Sequence, residues 1–196
     1  MLVAGTRDHA EALRDEAAAV LSTMGLRLSM EKTRIAHIDE GFDFLGRHIQ
    51  RHTKRGTKQQ HVYTYPSKDA LASIKDKVRT ATQRTTTNQS LADLCARVNP
   101  ALRGWTTHFR HDVSKASFGY LRFFLWKRVV GWLRKKHPRA SWKQLRRRYL
   151  SDWWPTEGVR TLFDPSAVPV TRYRYRGDRI PLPWATQTEK IAASHD

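Results

Sequence analysis

Three carboxylates stand close together at Asp39, Glu40 and Asp43. Oxygen donors of this kind hold magnesium, but the same cluster suits a solvated turn at the start of a strand. His108 and His111 are three residues apart, which puts them on adjacent turns of a helix, yet no third ligand follows and zinc asks for four donors. Cys95 is the single cysteine, so it forms no internal disulfide and heads no Cys-rich zinc site. The nine histidines are scattered, with no HExxH and no Cys–His pair, and there is no glycine-rich phosphate loop. No catalytic residue and no metal ligand is therefore assigned. Binding chemistry remains. Phe123-Phe-Leu-Trp126 runs into Lys127-Arg128, Trp132-Leu133 runs into Arg134-Lys-Lys136, and Lys143 precedes Arg146-Arg-Arg148. Aromatic rings interleaved with cations can stack on nucleobases while the cations hold phosphates. An amphipathic helix with its aromatics in a core accounts better for the rings. It does not account for the cations, because the acids that balance a solvated face are missing.

The formal net charge is +18 over 196 residues, from 36 Lys and Arg against 18 Asp and Glu. Residues 97–150 carry fifteen of the bases and one acid, Asp112, whereas residues 1–50 and 151–196 are close to neutral. Such a segment repels itself, and phosphates would neutralise it. With 39% hydrophobic residues, seven Trp, seven Phe and six Tyr, there is ample apolar material for a core, which argues against wholesale disorder. No run approaches a membrane span, and the first ten residues lack the apolar core of a signal peptide. An intracellular, cytoplasmic protein with no membrane partner is expected.

The elements that must carry these residues follow from periodicity. Ala10, Leu13, Ala17, Val20, Leu21 and Met24 recur at helical spacing, and Gly25 stands where a C-terminal cap belongs. Leu26, Leu28 and Met30 alternate as in a short strand. Gly41–Ile49 reads as one strand and His61–Tyr65 as another, joined as a hairpin with a basic tip of Arg51, Lys54, Arg55 and Lys58 around the turn at Gly56. Met1–Ala4 is apolar without a visible partner. Pro66-Ser67 opens a helix with Leu71, Ile74 and Val78 as its stripe, and Thr80–Asn88 is its end and a loop. Ser90 caps the next helix, with Asp93 three residues on; Asn99-Pro100 should bend or interrupt it. Gly104 beside Trp105 suggests a helix–helix packing notch over a buried Trp, flanked by Arg103 and Arg110. A long helix spans about Ala116–Lys136, with apolar residues on more than one face. Ser141 caps a short helix from Trp142 to Leu150. The remainder, with Pro155, Pro165, Pro169, Pro181 and Pro183 and alternating Val168, Val170, Tyr173 and Tyr175, reads as loops with one short hairpin. The fold class expected is α+β, a small β-hairpin region followed by a mainly α-helical body.

Taken in order, Gly25-Leu-Arg-Leu-Ser-Met-Glu-Lys-Thr-Arg34, Gly41-Phe-Asp-Phe-Leu-Gly46, Asn99-Pro-Ala-Leu-Arg-Gly-Trp105 and Leu125-Trp-Lys-Arg-Val-Val-Gly-Trp132 with Lys136-His-Pro138 make a pattern. The chain resembles the C-terminal half of a group II intron-encoded reverse transcriptase/maturase, most clearly over residues 1–154. The resemblance implies that residues 1–65 are the end of a palm, with Gly41, Phe42, Phe44, Leu45 and Gly46 in a primer-grip-like strand. It implies a thumb-like helical region at 66–96, where Lys68, Lys75 and Arg79 would face a duplex, and a maturase-specific domain at 97–154. Residues 155–196 are left as an irregular tail. The partner implied is structured intron RNA, with a DNA target or RNA–DNA duplex as a further candidate. The motif nominates Arg103 and Trp105 as RNA contacts, and charge adds Arg110, Lys127, Arg128, Arg134, Lys135, Lys136, Lys143, Arg146, Arg147 and Arg148.

In that family a Tyr-x-Asp-Asp turn, whose aspartates hold the metal ions of phosphoryl transfer, precedes the segment similar to Met1–Thr6. The expectation is therefore an RNA-binding maturase fragment without polymerase acids and without a cofactor of its own. Magnesium would be needed only by a complete reverse transcriptase. The alternative is a part of an RNA-directed DNA polymerase active in a longer or split form.

Overall fold

A computed structural model describes residues 6–53, 56 and 58–171. The apolar start Met1–Ala4, the hairpin-tip residues Lys54 and Arg55, and Tyr173, Tyr175, Pro181 and Pro183 lie outside the described residues. The architecture is α+β, with small antiparallel sheets and a helical body.

Helix α1 (Arg7–Thr23) starts on a capping box between Thr6 and His9, and Gly25 takes φ +74° just beyond its end, as a left-handed terminator does. None of its residues is buried; Val20 and Met24 are exposed. The alternation at Leu26, Leu28 and Met30 does not become a strand. Among the described residues nothing pairs with it, and Met30 is left 79% exposed.

Gly41–Ile49 is not one strand but a hairpin. β1 (Phe42–Phe44) and β2 (Arg47–Thr53) are joined at Leu45-Gly46, with Phe42 opposite Ile49 and Phe44 opposite Arg47. Leu45 and Gly46 have φ +48° and +77°, the positive pair that lets a two-residue turn follow the twist of its strands. Strand β3 (Gln60–Pro66) completes the sheet, with Arg47 opposite Pro66 and Thr53 opposite Gln60.

The body begins with α2 (Lys68–Ala81), capped by the Ser67 hydroxyl, which accepts from the Ala70 N–H. A short 3-10 helix (Arg84–Thr86) leads into α3 (Leu91–Phe109), where Ser90 and Asp93 form a capping box. Each such cap is worth about 0.5–2 kcal/mol. Pro100 sits inside α3 without interrupting it. Its ring denies an N–H only to the carbonyl of Ala96, and both residues are exposed, so water can serve that carbonyl.

α4 (Lys115–Lys136) follows, then α5 (Trp142–Tyr149), opened by a Ser141–Gln144 capping box. The stretch after Tyr149 holds more than loops. β4 (Leu150–Ser151), β5 (Trp154–Glu157) and β6 (Arg160–Thr161) make a small meander, and a second 3-10 helix covers Pro165–Ala167. Strand β5 thus runs across residues 154 and 155.

The core draws Ile74 and Val78 from α2, Leu91, Leu94, Cys95, Val98 and Leu102 from α3, and Leu121, Leu125, Val129, Trp132 and Leu133 from α4. Leu145 and Tyr149 of α5 close one side, and Trp154 and Leu162 of the meander pack into the same cluster. At roughly 1.5–3 kcal/mol for each fully buried large aliphatic side chain, this cluster is the main stabilising element.

Candidate nucleic-acid interface

Three residues of the Asn-Pro-x-x-Arg-Gly-Trp signature, Asn99, Arg103 and Trp105, make contacts inside the protein. The Asn99 side-chain amide donates to the Thr161 carbonyl (2.9 Å) and its oxygen accepts from the Phe163 N–H (2.8 Å), so one residue of α3 ties down the segment after β6. Arg103 lies over the Phe163 ring at 5.6 Å. Trp105 donates its indole N–H to the Ala70 carbonyl of α2 (3.1 Å) and packs on Phe109 at 4.8 Å and Phe118 at 5.8 Å. It is half-buried, with its one polar atom engaged. The notch expected at Gly104 is absent, because a Cβ there would meet nothing within 4 Å. The glycine faces open space, and nothing in the fold explains it.

The basic side chains divide by what they do inside the protein. Arg128 reaches back to α2, donating to the Thr82 hydroxyl (3.1 Å) and, at 3.4 Å each, to the carbonyls of Arg79 and Thr82. These include carbonyls that the end of α2 leaves without an intrahelical partner. Lys136 donates to the Thr87 carbonyl (2.8 Å), Lys75 to the Tyr120 hydroxyl (3.0 Å), and Arg122 pairs with Asp164 at 2.9 Å. Arg79 pairs with Asp76 and lies over Phe124 at 5.6 Å. Arg110 donates to the His111 ring at 3.0 Å, and the other nitrogen of that ring contacts the Thr171 carbonyl. Arg134, Arg146 and Arg148 stay exposed but rest on the rings of Trp142 (5.2 Å), Trp153 (5.0 Å) and Tyr149 (5.2 Å).

Lys68, Lys127, Lys135, Arg139, Lys143 and Arg147 are exposed, and no hydrogen bond, ion pair or ring contact to another described residue engages them. Lys127 and Lys135 line a groove of about 370 Å³ between α2 and α4, together with Arg79, Arg128, Phe124 and Trp132. A larger groove of about 790 Å³ between α2 and α3 has Asp69 and Asp76 beside Lys77 and Arg97, so it does not concentrate positive charge.

The lone acid of the basic segment faces inward. Asp112 is 5% exposed. It accepts from the Arg47 guanidinium of β2 (2.9 Å) and from the Thr64 hydroxyl of β3 (2.8 Å), while Arg47 also donates to the His108 carbonyl (2.9 Å). It therefore does not temper the outer charge. It joins the first sheet to the turn between α3 and α4. His137 adds little positive charge of its own. Burial holds its pKa below the usual histidine value, with Lys136 and Arg148 pushing the same way, and its ring stacks on Tyr149 and meets the Tyr149 hydroxyl at 2.8 Å. Burial likewise pushes the Cys95 thiol up to about 11, which marks it as a packed, unreactive side chain.

Of the aromatic run, Leu125 and Trp132 are core and Phe124 and Trp126 half-buried, while Phe123 is 62% exposed. In the first sheet Phe42 is half-buried, whereas Phe44 and Leu45 project at the β1–β2 turn, 58% and 74% exposed. Gly41, at φ +78°, has no room for a side chain; a Cβ would sit 2.6 Å from the His48 ring. The carboxylates first considered for a metal are engaged otherwise, Asp39 by Arg51 and Asp43 by His48. No group of three or more His, Cys, Asp or Glu suited to a metal occurs among the described residues. No helix among them is long and apolar enough to cross a membrane.

Three features escaped sequence reasoning: the Asn99 tie, the Arg47–Asp112–Thr64 clamp and the exposed Trp153. Asp112 carried a signal, since a single acid among fifteen bases is a candidate for a buried ion pair.

Residues 71–150 match the family described as "Group II intron, maturase-specific domain". The match runs from within α2 to the start of β4, so it covers most of the lining of both grooves beside α2 and all of α5. The chain is also 39% identical over 71 residues to Protein YkfC of Escherichia coli (strain K12). That alignment covers 36% of this chain and 19% of the relative's length.

Proposed function

We propose that this chain, whose residues 71–150 match the group II intron maturase-specific domain, takes part in group II intron splicing by binding the folded intron RNA through phosphates. The observation that carries this is the set Lys127, Lys135, Arg139, Lys143 and Arg147, exposed and unengaged in a segment whose single acid is buried against Arg47. Folding does not require such a surface, and RNA phosphates neutralise it with release of counterions. Arg134, Arg146 and Arg148, propped on rings, extend the surface with guanidinium groups suited to phosphate. Arg128, Lys136 and Trp105 act through the fold instead, by holding α4 and α3 to their neighbours. Selectivity for intron RNA would come from shape, because the cations read backbone geometry and not base sequence.

The test is binding to structured intron RNA across a salt series. Neutralising Lys135, Lys143 and Arg147 together with Gln is expected to lower the log–log salt slope by about three, one for each phosphate no longer neutralised. A slope equal to that of the wild type would refute the assignment.

The exposed pair Phe44 and Leu45 at the β1–β2 turn favours a second reading, in which the first sheet contacts an RNA–DNA duplex as a primer grip within a longer or split polymerase. Leu45→Asn suits a left-handed backbone and removes the apolar tip. It should weaken binding of an RNA–DNA hybrid and leave intron RNA binding unchanged; equal binding of the hybrid would remove the turn from that role.

A further inference from the structure

The turn between β4 and β5 places two adjacent tryptophans in opposite situations. Trp154 is buried, with its indole N–H donated to the Leu162 carbonyl at 2.6 Å. Trp153 is 57% exposed. Both central residues of the turn have left-handed backbones, Asp152 at φ +47° and Trp153 at φ +64°. Asn and Gly are the residues that suit such a turn, and a bulky side chain there is strained. Trp153 gains only partial burial in return, so stability alone does not account for it.

The backbone beneath the ring is nonetheless held firmly. The Trp126 indole of α4 donates to the Trp153 carbonyl at 3.0 Å, and Ser151 pairs with Trp154 across the turn. On one side the ring carries the Arg146 guanidinium at 5.0 Å. Arg146 is exposed and has no carboxylate partner among the described residues, so its N–H groups stay available to a phosphate. Lys143 and Arg147 of the same helix are exposed nearby in sequence.

We propose that Trp153, with Arg146 across its ring, is a stacking platform for an unpaired RNA base, Arg146 holding the adjoining phosphate. A flat exposed indole matches the π-face of any base, and a base inside a duplex cannot offer that face. The ligand class is therefore a looped or bulged nucleotide and not paired RNA. The proposal rests on the RNA-binding reading above.

The full chain should be tested with an oligouridylate and with a blunt RNA duplex of equal length. Trp153→Gly relieves the left-handed strain, so its melting temperature should equal or exceed that of the wild type. It should weaken oligouridylate binding about 5- to 150-fold, the range expected when a single base stack is removed, and leave duplex binding unchanged. Trp153→Phe, which keeps an aromatic face, should retain most of the oligouridylate affinity. If Trp153→Gly binds oligouridylate as the wild type does, or loses both ligands equally, the platform is wrong while RNA binding stands. If the wild type binds neither RNA at low salt, the RNA-binding reading fails and the platform with it.

Discussion

Replacing Asp112 with Ala removes the side-chain clamp between the first sheet and the helical body. The Asp112 side chain is 6% exposed and that of Arg47 27%. Removing one partner of a buried ion pair costs about 3–5 kcal/mol, because the other charge is left without compensation. Arg47 can still reach water in part and keeps its bond to the His108 carbonyl, so the lower end applies, about 3 kcal/mol. The Thr64 hydroxyl loses its acceptor as well. For a chain of this size such a loss lowers the melting temperature by about 6–12 °C. Two backbone bonds continue to hold the sheet, Val113 N–H to the Thr64 carbonyl and Ser67 N–H to the Gly46 carbonyl, each 2.8 Å. Hydrogen exchange should therefore speed up first at residues 62–65, before α3 and α4. Thermal unfolding with exchange measurements tests this. RNA affinity at a temperature where the variant is folded should not fall, because a negative charge has been removed. Destabilisation below about 1 kcal/mol, the scale of an exposed pair, would refute the view that this clamp joins the two parts.

Cys95 should resist alkylation in the native protein at neutral pH and react at the rate of a free thiol once unfolded; rapid native labelling would contradict its burial. His137 has a folded-state pKa below its unfolded value, so the unfolded chain binds the extra proton first. Its contribution to stability is complete above the ordinary histidine value and is lost as pH falls from there through the lower folded value. The wild type should thus lose more melting temperature than His137→Gln on going from about pH 7 to about pH 5. Asn99→Ala leaves the Phe163 N–H and the Thr161 carbonyl without their partner and should cost about 1–3 kcal/mol, measured by urea unfolding.

The helical body was legible because its signals are local. Ser67, Ser90 and Ser141 stand directly before apolar stripes, and a cap reports on its own first turn. Positions whose conformation depends on partners distant in sequence were not. Gly41–Ile49 reads as one strand, but the left-handed backbones of Leu45, a residue with no preference for that conformation, and Gly46 divide it into two. Leu26, Leu28 and Met30 alternate regularly but have no neighbour to pair with among the described residues. Pro100 and Gly104 carry strong local penalties that exposure makes tolerable. Within the basic segment, sequence could not tell Arg128 and Lys136, which brace α2 and the loop after it, from Lys135 and Arg147, which face outward.

The Asn99 tie also orders events in time. Its partners lie 62 and 64 residues further along the chain, and Trp154 and Leu162 belong to the same core cluster as Val98 and Leu102. During synthesis α3 leaves the ribosome before the segment that covers it. For that interval the part of α3 around Asn99 lacks the cover of Trp154 and Leu162, and a nascent chain is open to wrong association. The docking of residues 150–163 would then be the late step that converts a sticky helical intermediate into the finished body. Slow codons or a chaperone would matter most just there.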